Sequence, residues 1–147
     1  MKKRVGIIIL ILLLLILAGG GAAFYYYYSK YINIDAIYPG MTIQGMSVGG
    51  MTQEEAKAKV QEYIDKVSQE TVTLQVKKKE STFALSDIGL KCTNMDVVEK
   101  AYDFGKTGNV FKRVIEVRKL EKEGMDFPLT FSVDKAETRK VVKKKAK

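Results

Sequence analysis

Histidine is missing from this chain of 147 residues, and cysteine occurs once, at Cys92. Those two shortages exclude a good deal of chemistry. With one thiol there is no intrachain disulfide, and with no imidazole neither a Cys-His dyad, a Ser-His-Asp triad nor a histidine zinc site can be assembled from this chain. Cys92 alternates with Leu90 and reads as a small buried apolar residue, with no base beside it to activate the thiol. The carboxylates offer no catalytic pair either, since Asp87, Asp96 and Asp103 fall at caps and turns, where the local hydrogen bonding of Asp is expected. The chain reads as noncatalytic, with no metal and no cofactor.

A net charge of +8 suggests nucleic acid until its distribution is considered. Lys2, Lys3 and Arg4 hold three of the 25 basic residues and residues 139–147 hold six more, which leaves 16 bases in the middle against all 17 acids. The middle is near neutral, and no nucleic-acid partner is expected.

The basic start precedes an uncharged run over residues 5–24. As a helix it spans about 30 Å, the thickness of a bilayer core. Positive charge stays on the cytoplasmic side, and the tyrosines at 25–28 suit the outer interface, where an apolar ring with a polar hydroxyl is favoured. The sequence therefore predicts a single-pass anchor with the remainder outside the cell. A cleaved signal peptide is the competing reading, because the small residues at 18–23 suit a cleavage site; it predicts the same compartment for the rest of the chain.

Beyond a juxtamembrane stretch at 29–36, the segment 38–56 carries dense local instructions. Pro39-Gly40 has the chemistry of a tight turn, Met41, Ile43 and the residues at 46–48 form a short extended run broken by Gly45, and Gly49-Gly50 reverses the chain or lets two backbones approach. Thr52 and Glu55 have the spacing of a capping box, with Met51 placed as a hydrophobic staple. The helix they open is predicted over 53–67, with Ala56, Val60, Tyr63, Ile64 and Val67 on its core face.

Two motifs, IYPGMTIQGMSVGGMTQEEA at 37–56 and AYDFGKTGN at 101–109, resemble the peptidoglycan-binding (YoaR-like) domain of membrane-anchored bacterial L,D-transpeptidases and VanW-like proteins. The resemblance covers the chain from Ile37 onward and departs from the family at Lys106, where arginine more often follows the glycine. It implies a cell-wall polymer as partner. A transpeptidase needs a cysteine paired with histidine, so the resemblance also implies that any catalytic domain would lie downstream in a longer protein.

The remaining elements follow from periodicity. Strict alternation predicts a strand over 71–76, the run Lys77-Lys78-Lys79-Glu80 a hairpin connection, and Thr82 to Leu85 a returning strand with Phe83 and Leu85 inward. A turn ends at Gly89. Thr93-Asn94 offers the cap of a second helix that carries Val97, Val98, Ala101 and Tyr102 and ends near Gly105. Asn109 caps a third, whose core spacing is read from Val110, Phe111, Val114 and Ile115, and which fades before Gly124. A last alternating segment puts Phe127, Leu129, Phe131 and Val133 on one face, with Pro128 suited to an edge or a strand start. Asp134 then caps a basic helix, read either as a tail for anionic polymer or as the start of a further unit.

The expected fold is α+β, a transmembrane helix followed by a small, mostly antiparallel sheet packed with about three helices. The expected organisation is 1–28 for the basic start and anchor, 29–36 for the linker, 37–133 for the wall-binding domain and 134–147 for the basic helix. Lys106-Thr107-Gly108-Asn109 lacks the spacing and the leading strand of a phosphate loop, and Gly105 and Gly108 are accounted for by a helix end and a turn. If the domain binds glycan or stem peptide, this loop is the expected place. Tyr102 could stack on a sugar face, Lys106 and Arg113 could meet carboxylates, and Asn109 could bond an amide. The alternative places Tyr102 in the core and Arg113 in solvent. A structural spacer or protein-interaction module is the second function class.

Overall fold

The computed structural model describes residues 2–32, 34–76 and 79–145. Helix α1 runs over Lys2–Tyr31, and within it Gly6–Lys30 is long and apolar enough to cross a membrane, with mean hydropathy 2.9 and none of the window buried by protein. The rest is α+β, as the sequence predicts. Strands β1 (Met41–Ile43) and β2 (Met46–Ser47) lead to α2 (Gln53–Gln69), followed by β3 (Thr71–Val76), β4 (Lys79–Ala84) and a 3₁₀ turn at Leu85–Ile88. Then come β5 (Lys91–Cys92), α3 (Val97–Asp103), α4 (Val110–Glu123), β6 (Met125–Phe127), β7 (Phe131–Ser132) and α5 (Lys135–Lys145). Lys77 and Lys78 of the predicted hairpin connection, Asn33 of the juxtamembrane stretch and the last two residues lie outside the described set.

The strands form three small sheets. In the first, β1 lies between β2, antiparallel, and β6, parallel; β3 pairs with β4 and β5 with β7, both antiparallel. The extended run predicted over 41–48 is a tight hairpin. Gln44 and Gly45 both have positive φ, 52° and 73°, and the register pairs Ile43 with Met46, which is the two-residue turn whose twist suits adjoining strands. Gln44 is held there because its Oε1 accepts the Leu129 N–H at 2.8 Å.

The paired glycines have separate duties. A Cβ on Gly49 would stand 2.8 Å from Pro39 Cα, so two backbones meet there, while Gly50 supplies a φ of +82°. The capping box forms as predicted: Glu55 N–H donates to Thr52 Oγ1 at 3.2 Å, and Thr52 N–H donates to Glu55 Oε2 at 2.9 Å. At Pro39-Gly40 the chain turns with Gly40 at φ +90°, and the Gly40 carbonyl accepts the Met125 N–H at 3.1 Å, which brings β6 alongside β1.

One core gathers Ile37, Tyr38, Met41 and Ile43 from the first motif, Ala56 and Val60 from α2, Val97, Val98 and Ala101 from α3, Val117 and Leu120 from α4, and Leu129. Burial of side chains of this size stabilises by about 1.5–3 kcal/mol each. Ile32 belongs to it too, so the chain enters the core within one residue of the end of α1.

Four expectations are corrected. Leu85 opens a 3₁₀ turn instead of extending β4, because Asp87 Oδ2 accepts the Ala84 N–H and bends the chain. Asn94 does not cap α3; its side chain accepts the Thr130 N–H at 2.7 Å and donates to the Pro128 carbonyl at 2.9 Å, and Asp96 takes the cap position. On α4 the buried residues are Val117 and Leu120, while Phe111 is 83% and Ile115 67% exposed. The segment 125–133 is two strands in different sheets, parted where Pro128 has no N–H to donate, and Val133 is exposed.

Candidate functional site

The loop between α3 and α4 is shaped by its glycines. Gly105 has φ +68°, and a Cβ there would lie 2.8 Å from Val117 Cγ2 and 3.1 Å from the Tyr38 ring, so α4 can approach the core only over a residue without a side chain. Gly108, at φ +95°, completes the turn. Asn109 then caps α4, its Oδ1 accepting the Lys112 N–H at 2.8 Å.

Three of the four residues expected to contact ligand converge beside the end of α1. Arg113 donates Nε–H to the Gly105 carbonyl at 2.8 Å and an Nη2 hydrogen to the Ile32 carbonyl at 2.6 Å, and it also bonds the Tyr38 side chain. A cation at the C-terminal end of a helix satisfies carbonyls left without intrahelical partners and is favoured by the dipole. Tyr102 donates its hydroxyl to Asp35 Oδ1 at 2.5 Å. Lys106 lays its ammonium over the Tyr102 ring, 3.1 Å from the centroid, where Nζ is shielded from water and has no hydrogen-bond partner among the described residues. Asn109 stands on the exposed side as the cap. The guanidinium is thus half-buried and held by two backbone carbonyls and the Tyr38 side chain.

The electrostatics follow the packing. Burial pushes the Tyr38 phenol up, partly countered by Arg113, and the Asp35 carboxylate holds the Tyr102 phenol up. Desolvation lowers the Lys106 ammonium, against the pull of Asp35 and Asp103.

The outer side of the same loop is open. A hollow of about 460 Å³ is lined by Asp96, Glu99, Lys100, Asp103, Phe104 and Thr107. Phe104 also walls a second hollow of about 210 Å³, on the α4 side with Leu120 and Met125. Lys100 pairs with Asp96 at 2.6 Å, which holds the Asp96 carboxyl below its usual range. The larger hollow joins an aromatic edge, carboxylates and an ammonium, groups suited to sugar faces, amines and amides. Residues 96, 99, 100 and 103 recur at helical spacing opposite Val97, Val98 and Ala101, so this polar stripe was readable in the sequence. Asp35 was not, because it meets Tyr102 across 67 residues. Among the described residues no group of three or more Cys, Asp and Glu side chains could hold a metal ion.

The fold is a small α+β module that follows a helix of membrane-spanning length. Residues 81–147 match the family described as "Putative peptidoglycan binding domain". That match supports a cell-wall polymer as partner, and domains of this kind are typically noncatalytic. No curated protein and no solved structure matches the chain. The matched stretch begins inside β4 and depends on what precedes it, since β6 is paired to β1 and the core is shared with the residues at 37–60.

Proposed function

We propose that this chain is a membrane-anchored, extracytoplasmic, noncatalytic module that binds peptidoglycan, on its own or so as to position a cell-wall enzyme that follows it. The observation that carries the reading is the family match over 81–147, a stretch that contains the α3–α4 loop and its open hollow. In this reading α1 is the retained anchor, with residues 5–24 in the bilayer. Lys100, Asp103, Phe104 and Thr107 make the contact, while Tyr102, Lys106, Asn109 and Arg113 hold the loop in shape. YoaR-like and VanW-like proteins are the context this implies.

The test is retention of the full chain, in mild detergent, by purified sacculi at low and high salt. Retention that survives high salt is expected and is lost in Thr107→Arg, which fills the exposed rim of the hollow. Retention abolished by salt alone would reduce the interaction to polycation binding by the basic residues at 139–147. A spacer without glycan affinity is the second reading. It is favoured by the engagement of Tyr102 and Arg113 inside the protein, and absence of retention at both salts would establish it over the first.

A further inference from the structure

We propose that α4 is an interfacial helix, lying on the lipid surface from which α1 emerges, with Phe111 and Ile115 at the acyl boundary and Arg118 and Lys122 on lipid phosphates. The proposal rests on the anchor reading of α1.

Large apolar side chains are ordinarily the ones a fold hides, yet Phe111 and Ile115 are among the most exposed residues outside the span. They are four apart and share a face. At about 100° per residue, Phe111, Ile115, Arg118 and Lys122 fall in one stripe about 60° wide, centred roughly opposite the buried Leu120. Both cations of that stripe are without an ion pair among the described residues, whereas the neighbouring flank is neutralised by Lys112–Glu116 at 3.6 Å and Lys119–Glu123 at 3.8 Å. An apolar pair followed along the helix by unpaired bases is the pattern of a helix that lies in an anionic lipid interface.

Position supplies the occupant. Helix α4 is fixed to the end of α1 by Arg113 to the Ile32 carbonyl and by Lys30–Glu121 at 3.7 Å. Lys30 is two residues past the tyrosine run, or about 3 Å along the axis, so this contact sits at the depth where the aromatic ring belt meets headgroups. Arg113 and Glu121 are about 80° apart around α4, and the stripe continues round the Glu121 side. That is the side held to Lys30, the contact residue nearer the apolar span. The exposed stripe is therefore continuous with the surface that α1 presents to lipid.

The chain contains no tryptophan, so a single introduced indole reports its own depth. Phe111→Trp, and separately Ile115→Trp, would be reconstituted as full chains in vesicles of phosphatidylglycerol and phosphatidylcholine with brominated acyl chains. Phe24→Trp marks the span. Ser86→Trp marks the far end of α2, which runs about 25 Å from its start to the 3₁₀ turn. Loss of emission is expected at 24, 111 and 115 but not at 86, and the loss at 111 should be relieved when Arg118→Glu and Lys122→Glu are added. Quenching at 24 without quenching at 111 and 115 overturns the interfacial helix and leaves the anchor standing. A blue shift at 111 without bromine quenching assigns the stripe to a second copy of the chain or another protein, which also overturns it. An unquenched Phe24→Trp removes the anchor and this inference together.

Discussion

Arg113, on the first turn of α4, donates to the carbonyl of Ile32, the residue after the last one of α1, at 2.6 Å across 81 positions of sequence. The domain is thereby bracketed to its helix by a charged hydrogen bond and by the burial of Ile32.

Replacing Arg113 should expose that dependence. Arg113→Ala leaves the Gly105 and Ile32 carbonyls without their donor, and a charged hydrogen bond is worth about 1.5–3 kcal/mol. A loss of about 3 kcal/mol is expected in denaturant unfolding of the full chain in micelles. Arg113→Lys should recover only part of it, because an ammonium cannot reproduce the fork that serves both carbonyls.

Two glycine replacements separate shape from strain. Gly49→Ala meets Pro39 Cα at 2.8 Å, whereas Gly45→Ala meets nothing within 4 Å but must hold φ +73°. The second should cost about 1 kcal/mol, the steric penalty of the left-handed region for an L residue. The first should cost more, since backbone must move. Equal losses of stability in thermal melts would contradict the contact geometry.

Stability should fall in acid through Asp126. Its Oδ1 accepts the Thr42 hydroxyl at 2.6 Å and the Gly45 N–H at 2.9 Å, and these bonds hold the carboxyl below its usual value of 3.8. A depressed folded pKa means that the contribution is complete above the unfolded value and lost as pH falls through the folded one. Asp126→Asn should be less stable than the parent near neutral pH, and its stability should change less between pH 5 and pH 2.

Asn94 and Asn109 invite direct comparison. Asn109→Ala removes one cap bond, worth about 1 kcal/mol. Asn94→Ala removes two bonds that join the start of α3 to the strand connection at 128–130, at about 1 kcal/mol each. The loss at Asn94 should be the larger, and a smaller one would mean that water replaces its partners.

The elements legible in the sequence are those whose instructions are local. Thr52 and Glu55 are three residues apart, the alternation at 71–76 needs no partner to be seen, and Asn109 caps the helix next to it. Asn94 looks like a cap by the same logic, yet its partners lie 34 and 36 residues on, and that pairing decides the outcome. On α4 two apolar spacings overlap, 110–114–117 and 111–115. Periodicity cannot choose between them, and the choice is made by Gly105, whose missing side chain admits Val117. The candidate loop is legible from its glycines and its aromatic residue. Its inner partners, Ile32 and Asp35, were invisible because nothing near them in sequence names Arg113 or Tyr102.

The parallel pairing of β1 with β6 also sets an order of assembly. Thr42 and Asp126 are 84 residues apart, so one edge of the hairpin that opens the domain stays without its partner until Met125 to Phe127 have left the ribosome. Closing so long a loop costs entropy before any contact offsets it, and unpaired edges are vulnerable meanwhile. The β1–β2 turn, the α2 cap and the β3–β4 hairpin can form early as local structure. The arrival of Met125 to Phe127 completes the first sheet and joins both halves of the core, so this domain should fold only after that segment emerges, and all at once.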